Sequence, residues 1–375
     1  MILTVIIILF CYGALIIALS IGFDNVSPFV KEVTNPISKF SIIIPFRNEE
    51  ANLTELLNSL VLLNYPKEHF EIEMVNDASD DNSVPLIEHF IAAHSSLPLS
   101  ILENNRASVS PKKDAIDAAI KQAKFDWILT TDADCVVPKN WLMTYDAFIQ
   151  THESKLIAAP VTYTIENTFL EHFQLFDFLS LQASTIGGFG LKKPFLCNGA
   201  NLCYQKSAFI EVNGFSGNEE IASGDDVFLL EKMKEKFPNN VYFLKSNEVV
   251  VLTQPQPSIK SLISQRVRWA AKTTSVKSGF TKLVGLIVLV MNFLWISSII
   301  LFLAGYMNWQ NLCTIITFKL VVDFVLLIKA FHFFKQSFDF LKFILNSFCY
   351  PFFSMFVIIL SFKKGYQWKN RAFKK

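Results

Sequence analysis

Ile128-Leu129-Thr130-Thr131-Asp132-Ala133-Asp134 is an apolar run that ends in two carboxylates separated by one small residue. At the C-terminal end of a buried strand, an acid-x-acid pair offers hard oxygen ligands. These suit a divalent cation held against the diphosphate of an activated nucleotide substrate. Asp-rich turns are also ordinary surface features, so the pair takes its meaning from the polar clusters around it.

Several clusters follow. Pro45-Phe46-Arg47-Asn48-Glu49-Glu50 reads as a helix start, with Asn48 as the cap and acids in the first turn. Asn76-Asp77-Ala78-Ser79-Asp80-Asp81 reads as an Asx-rich turn. Pro111-Lys112-Lys113-Asp114 opens a helix with lysines at its positive end, a placement that favours a nearby anion such as phosphate. Asn198-Gly199-Ala200-Asn201 puts small residues between amides, suited to close approach by a sugar or to a tight bend.

Two clusters lie further on. Gly224-Asp225-Asp226 precedes an apolar helix start, where acids partner the helix dipole. Alternatively, like charges side by side raise a carboxylate's pKa and ready it to take a proton. Gln265-Arg266-Val267-Arg268-Trp269 sits just before an apolar run. Its residues serve either as bilayer-edge anchors, or with Arg268 gripping a diphosphate and Trp269 stacking on a sugar face.

The elements that must position these groups are legible from periodicity. Phe40 to Ile44, Phe70 to Val75, Leu99 to Leu102 and Trp127 to Thr131 read as strands. Leu53, Leu56, Leu57, Leu60 and Val61 recur at helical spacing, and Pro111 to Lys124 reads as another helix. Such alternation predicts a mostly parallel α/β sheet with helices on both faces and a ligand crevice at the strands' carboxyl ends.

Composition places part of the chain in lipid. Of 375 residues, 51% are hydrophobic, and the mean hydropathy is +0.35. Charge is balanced at net +1, so no basic field argues for nucleic acid. The cysteines, Cys11, Cys135, Cys197, Cys203, Cys313 and Cys349, show no metal spacing, which points to a reduced, cytosol-facing chain.

Ile2 to Phe23 carries no charge and reads as a retained anchor in preference to a cleaved signal. Leu283 to Leu303, Leu312 to Ile328 and Phe340 to Phe362 are further apolar runs. Lysines at 329, 335, 342, 363, 364, 369, 374 and 375, with Arg371, want the cytosol on both sides of the last run. That run, with Pro351 inside it, is therefore expected not to cross fully. The boundaries expected are an anchor at 1–23, an α/β domain at 38–254, an interfacial region at 255–280, a membrane region at 281–362 and a basic tail at 363–375.

Taken in order, Ser41-Ile42-Ile43-Ile44-Pro45-Phe46-Arg47-Asn48-Glu49-Glu50, Val75-Asn76-Asp77-Ala78-Ser79, Lys112-Lys113, Asp132-Ala133-Asp134, Asn198-Gly199-Ala200-Asn201, Gly224-Asp225-Asp226 and Gln265-x-x-Arg268-Trp269 resemble the membrane-bound family 2 glycosyltransferases. The resemblance spans Phe40 to Lys272 and implies inverting transfer from a nucleotide sugar on a GT-A, Rossmann-like fold. By position, it implies that Pro45, Asn48, Glu49 and Asp77 hold the nucleoside and that Lys112 or Lys113 lies near the phosphates. Asp132 and Asp134 would surround Mg2+ or Mn2+. Asp226 would be the base, with Asp225 beside it, and Gln265, Arg268 and Trp269 would serve the donor diphosphate and acceptor. Asn76-Asp77-Ala78 departs from the usual Asp-Asp-Gly, and Asp225 stands where Glu is frequent.

The function expected is transfer from a nucleotide sugar, UDP-linked, to a lipid-linked or polysaccharide acceptor at the cytosolic face of a bacterial membrane. Phe169, Leu170, Phe173, Phe176 and Leu179 either line the acceptor's route or pack as core. The rivals are a processive polysaccharide synthase and a non-catalytic nucleotide-sugar-binding membrane protein. A transporter is disfavoured because Asp323 is taken as the one ionisable residue buried in the apolar runs.

Overall fold

The structure, a computed structural model, describes residues 2–31, 35–166, 168–217, 224–273, 275–363, 366–368 and 371–373. The first helix, α1 (Ile2–Asn25), leads into β1 (Phe40–Phe46). β1 is apolar except for Ser41 and almost wholly buried, as befits a strand covered on both faces. α2 (Glu50–Val61) follows, burying Leu53, Leu56, Leu57 and Leu60 at helical spacing, and then β2 (Phe70–Asn76), α3 (Ser83–Ala93), β3 (Leu99–Glu103), α4 (Pro111–Gln122) and β4 (Trp127–Thr130). Pro111 occupies the first turn of α4, where its missing N–H has no intrahelical bond to lose.

After β4 the chain forms β5 (Cys135–Val136), α5 (Trp141–Thr151), β6 (Leu156–Ala158), β7 (Val161–Tyr163), α6 (Phe169–Gly190), β8 (Leu202–Gln205), α7 (Lys206–Glu211), α8 (Asp225–Lys236), β9 (Val241–Phe243) and β10 (Val251–Thr253). The main sheet has the order β3-β2-β1-β4-β8-β6-β9, and a small sheet has the order β5-β10-β7. β1 pairs in parallel with β2 and β4, so the strand order reverses at β1 and opens a crevice at the carboxyl ends of these strands. β8 pairs antiparallel with β4 and β6, which makes the sheet mixed.

α9 (Ile259–Thr273), α10 (Gly279–Leu303), α11 (Trp309–Phe333) and α12 (Phe340–Lys363) complete the helical part, and a hairpin, β11 (Tyr366–Trp368) and β12 (Arg371–Phe373), follows. α1, α10, α11 and α12 are long and apolar enough to cross a membrane. No break occurs at Pro351, and α12 is one helix through it. Asp323 is not a lone intramembrane charge: Lys319, one turn earlier, pairs with it, and Tyr12 of α1 donates to it. The side chains of the basic tail, 363–375, lie outside the described residues.

α6 fastens the sheet to these helices. A Cβ on Gly190 would sit 1.7 Å from the Gly22 carbonyl oxygen, and one on Gly187 would sit 2.3 Å from that of Leu19. Glycines thus let the backbones of α1 and α6 touch. Of the apolar residues flagged on α6, Leu179 is core, Phe169 is exposed, and Phe173 packs on Phe353 of α12. The six cysteines are free.

Candidate active site

Asp132 and Asp134 stand in the link between β4 and β5, where the two sheets meet over a cleft of about 790 Å3. Lys112, in the first turn of α4, reaches across it. Its Nζ lies 2.6 Å from Asp132 Oδ1 and 3.3 Å from Asp225 Oδ2, so carboxylates remote in sequence meet at one ammonium. Burial alone would lower the Lys112 pKa, but Asp132, Asp225 and Asp226 outweigh it and hold the group above the ordinary lysine range. Gly199 permits the approach, because a Cβ there would sit 2.9 Å from Asp225 Oδ2 and 3.4 Å from Lys112 Nζ.

Asp226 opens α8 and accepts from Lys272 Nζ at 3.1 Å and from the Val227 N–H at 2.7 Å. Burial pulls its pKa up, yet Lys272 and Lys112 overcome that and leave it below its usual value. The sequence expectation was the reverse, that the adjacent Asp225 would raise it. Two ammonium groups, brought in from α4 and α9, decide the sign.

On the far side of Asp132, Pro45, Glu49 and Asp77 line the cleft. Asp77 Oδ1 accepts from Arg106 Nε at 2.6 Å and from Asn104 Nδ2 at 2.9 Å, two residues the sequence did not single out. Asn48 is not the cap of α2. That position is Glu49, while Asn48 has φ 52° and joins the turn after β1 to the one after β2 by bonds to Asp80. Ala78, which stands where the resemblance leads one to expect glycine, adopts φ 53°, a left-handed backbone that glycine takes without strain.

Gln265, Arg268 and Trp269 reach the same cleft from α9. Arg268 has no ion-pair partner among the described residues. The neighbouring Arg266, which the motif pattern leaves without a role, is buried. Its Nε lies 2.6 Å from Asp177 Oδ2 on α6, and its guanidinium lies 4.1 Å from the centre of the Trp269 ring. One face of Trp269 is therefore already covered.

Two expected residues are elsewhere. Lys113 is buried with its Nζ 5.1 Å from the Phe228 ring centre, and neither it nor Asn48 lines the cleft. Asn201 is also structural: its Oδ1 accepts from Trp141 Nε1 and Tyr145 OH, each at 2.9 Å, and its amide donates to Pro160 and Val249 carbonyls. In the other direction, Tyr350, Phe353, Ser354, Val357 and Ile358 of α12 form part of the cleft wall, which no local sequence pattern signalled.

A fold of this kind, with carboxylates gathered at the strand-order reversal, is that of a GT-A glycosyl transferase. The model of glycosyl transferase family 2 matches residues 41–212 and that of glycosyl transferase family group 2 matches residues 127–359, more than half of the chain, which therefore belongs to this family. The poly(ribitol-phosphate) beta-N-acetylglucosaminyltransferase TarS of Staphylococcus aureus is 38% identical over 119 residues, 32% of this chain and 20% of TarS. The probable glycosyltransferase YdaM of Bacillus subtilis is 24% identical over 253 residues, 66% of this chain and 58% of YdaM. The chain thus spans only part of the length of these relatives. The mannosyltransferase PcManGT from Pyrobaculum calidifontis, solved with GDP-Man and Mn2+, has the same fold, with a TM-score of 0.55 at 14% identity over 92% of this chain and 99% of that one.

Proposed function

We propose that the chain transfers a sugar, with inversion, from a UDP-linked donor to a hydroxyl of a lipid-linked or polysaccharide acceptor, at the cytosolic face of the membrane. The observation that carries this reading is the Lys112 junction, which brings Asp132 and Asp225 to one point of a cleft that runs on to α12. The nucleoside rests on Pro45, Glu49 and Asp77, while Asn48 acts from behind by fixing the loop.

Among the described residues no group of three or more His, Cys, Asp or Glu is placed to hold a metal ion. Two carboxylates, Asp132 and Asp134, fit Mg2+ or Mn2+ of the kind shared with substrate phosphates, and the ammonium drawn against Asp132 marks a cation-attracting position. When bound, such an ion stabilises charge on the departing diphosphate. Arg268 supports the same charge from α9. Asp226 accepts the acceptor hydroxyl's proton as that oxygen attacks the anomeric carbon, and Asp225 stays paired with Lys112 beside it.

α12 supports the orientation. Near its start Lys342 Nζ lies 2.7 Å from His172 Nε2 of α6, and fifteen or so residues on, as its rise carries it along, the helix still lines the cleft. A helix lying along the domain instead of leading away from it supports a cytosolic position for its far end, in keeping with the charge pattern.

The test is purified full-length protein with Mn2+ and a panel of UDP-sugars. Nucleotide release stimulated by membrane lipid extract is expected, and Asp226→Asn should lower it about 10²–10⁴-fold, the usual range for a lost general base. Full turnover in that variant would remove the assignment.

A further inference from the structure

Behind the cleft lies a second cavity of about 160 Å3, among α1, α6, α10, α11 and α12. Asp177, Leu181, Leu196 and Tyr350 line both spaces, so the two adjoin. Its wall is mostly apolar, with Phe173, Phe176, Val288 and Leu327 among the contributors. Apolar cavities of about 150 Å3 admit groups the size of benzene. One face of α12 runs through both spaces, with Asn346, Ser347 and Tyr350 in the cavity and Tyr350, Ser354 and Val357 in the cleft. A hydrocarbon chain seated in the cavity has its head directed at the catalytic carboxylates.

The polar atoms along this path indicate what kind of head. Asn346 Oδ1 is buried with no hydrogen-bond partner. Pro351 has no N–H to give the Ser347 carbonyl the bond a regular helix supplies. Both groups are acceptors short of a donor, the opposite of what an ionised phosphate needs. The cations nearby are engaged as well: Lys112 by Asp225, Lys272 by Asp226, Arg266 by Asp177, and Lys319 in the cavity by Asp323. Arg268 remains, and the donor diphosphate claims it. A hydroxyl nucleophile also gives Asp226 its task, since a phosphate oxygen is already ionised at neutral pH and needs no base.

We infer that the acceptor is an electrically neutral membrane lipid bearing a free hydroxyl, a diacylglycerol-type alcohol and not a lipid phosphate, with a few methylenes of one chain in the cavity beside α12. The inference rests on the transferase reading above and narrows its acceptor. The lipid hydroxyl oxygen bonds to the anomeric carbon, the bond from that carbon to the diphosphate breaks, the proton passes to Asp226, and the nucleoside diphosphate leaves with the electron pair.

The experiment uses the full chain in phosphatidylcholine vesicles with Mn2+ and the UDP-sugar panel, supplied with dioleoylglycerol, with undecaprenyl phosphate, or with neither. Mass spectrometry reads the glycolipid, and calorimetry reads donor binding. Glycosylated dioleoylglycerol with at least tenfold less product on undecaprenyl phosphate is expected. Donor binding followed by transfer to the lipid phosphate alone, or to neither lipid, overturns the inference while leaving the transferase reading standing. Failure to bind any donor removes both. Leu327→Trp, which fills the cavity, should raise KM for dioleoylglycerol at least tenfold with kcat little changed, its folding being checked by donor calorimetry. An unchanged KM would remove the cavity as the lipid's seat.

Discussion

Lys272 Nζ lies 3.1 Å from Asp226 Oδ1, so the helix that offers Arg268 to the cleft also holds the carboxylate proposed as the base. In Lys272→Met, burial still favours the neutral acid, and Lys112 and the Val227 N–H oppose it without Lys272, so the Asp226 pKa rises. A base works only when deprotonated. The acid limb of kcat/KM against pH should therefore move to higher pH, while the rate well above it is retained. A profile superimposable on that of the parent would sever the link between the two helices.

Chelation should separate the metal's part from the protein's. With EDTA, transfer should fall to background and return on addition of Mn2+. With Asp134→Asn, one of two carboxylates is neutralised, and the Mn2+ concentration giving half-maximal rate should rise at least tenfold, about 1.4 kcal/mol of lost binding. Activity indifferent to EDTA would exclude Asp132 and Asp134 as ligands of a required ion.

Ala78 holds φ 53° at the turn after β2, a conformation that costs an L-residue about 1–2 kcal/mol and glycine almost nothing. Ala78→Gly should stabilise the fold by up to about 1 kcal/mol once glycine's greater freedom in the unfolded chain is subtracted, read in detergent as a higher thermal midpoint. No change in donor affinity should accompany it. A lowered midpoint would mean that the methyl group packs usefully.

The strands and their turns were legible because a sheet's core leaves a clean signal. The polar side chains in Phe40 to Ile44 and Phe70 to Val75 are Ser41, Glu71 and Glu73, and the structure gives each a partner: Ser41 Oγ donates to Glu71, and Ser100 Oγ to Glu73. What periodicity missed is contact between distant segments. Nothing local in Tyr350 to Ile358 announces a wall of the cleft, since lipid-facing and cleft-facing residues are both apolar. The sign of the Asp226 shift was illegible for the same reason, because it depends on ammonium groups from α4 and α9. Asn48 and Lys113 show the converse: next to a functional residue in sequence, the helix and turn geometry aims them away from it.

Arg266 and Asp177 give a stability test that bears on the site. Both side chains are only 6% exposed, the ion pair is 2.6 Å long, and Arg266 Nη2 has no hydrogen-bond partner. Removing one partner leaves a buried charge uncompensated, so Asp177→Asn should lose about 3–5 kcal/mol, whereas replacing both with apolar residues should be far milder. Asp177→Leu combined with Arg266→Met should accordingly recover most of the thermal midpoint lost in either single variant. The recovered protein should still be impaired in turnover, because Trp269 then lacks the guanidinium that covers its ring and α9 is no longer keyed to α6. If the double variant is as unstable as Asp177→Asn, packing volume and not charge holds this junction. If it is fully active, the Arg266 cover on Trp269 has no part in presenting α9 to the donor.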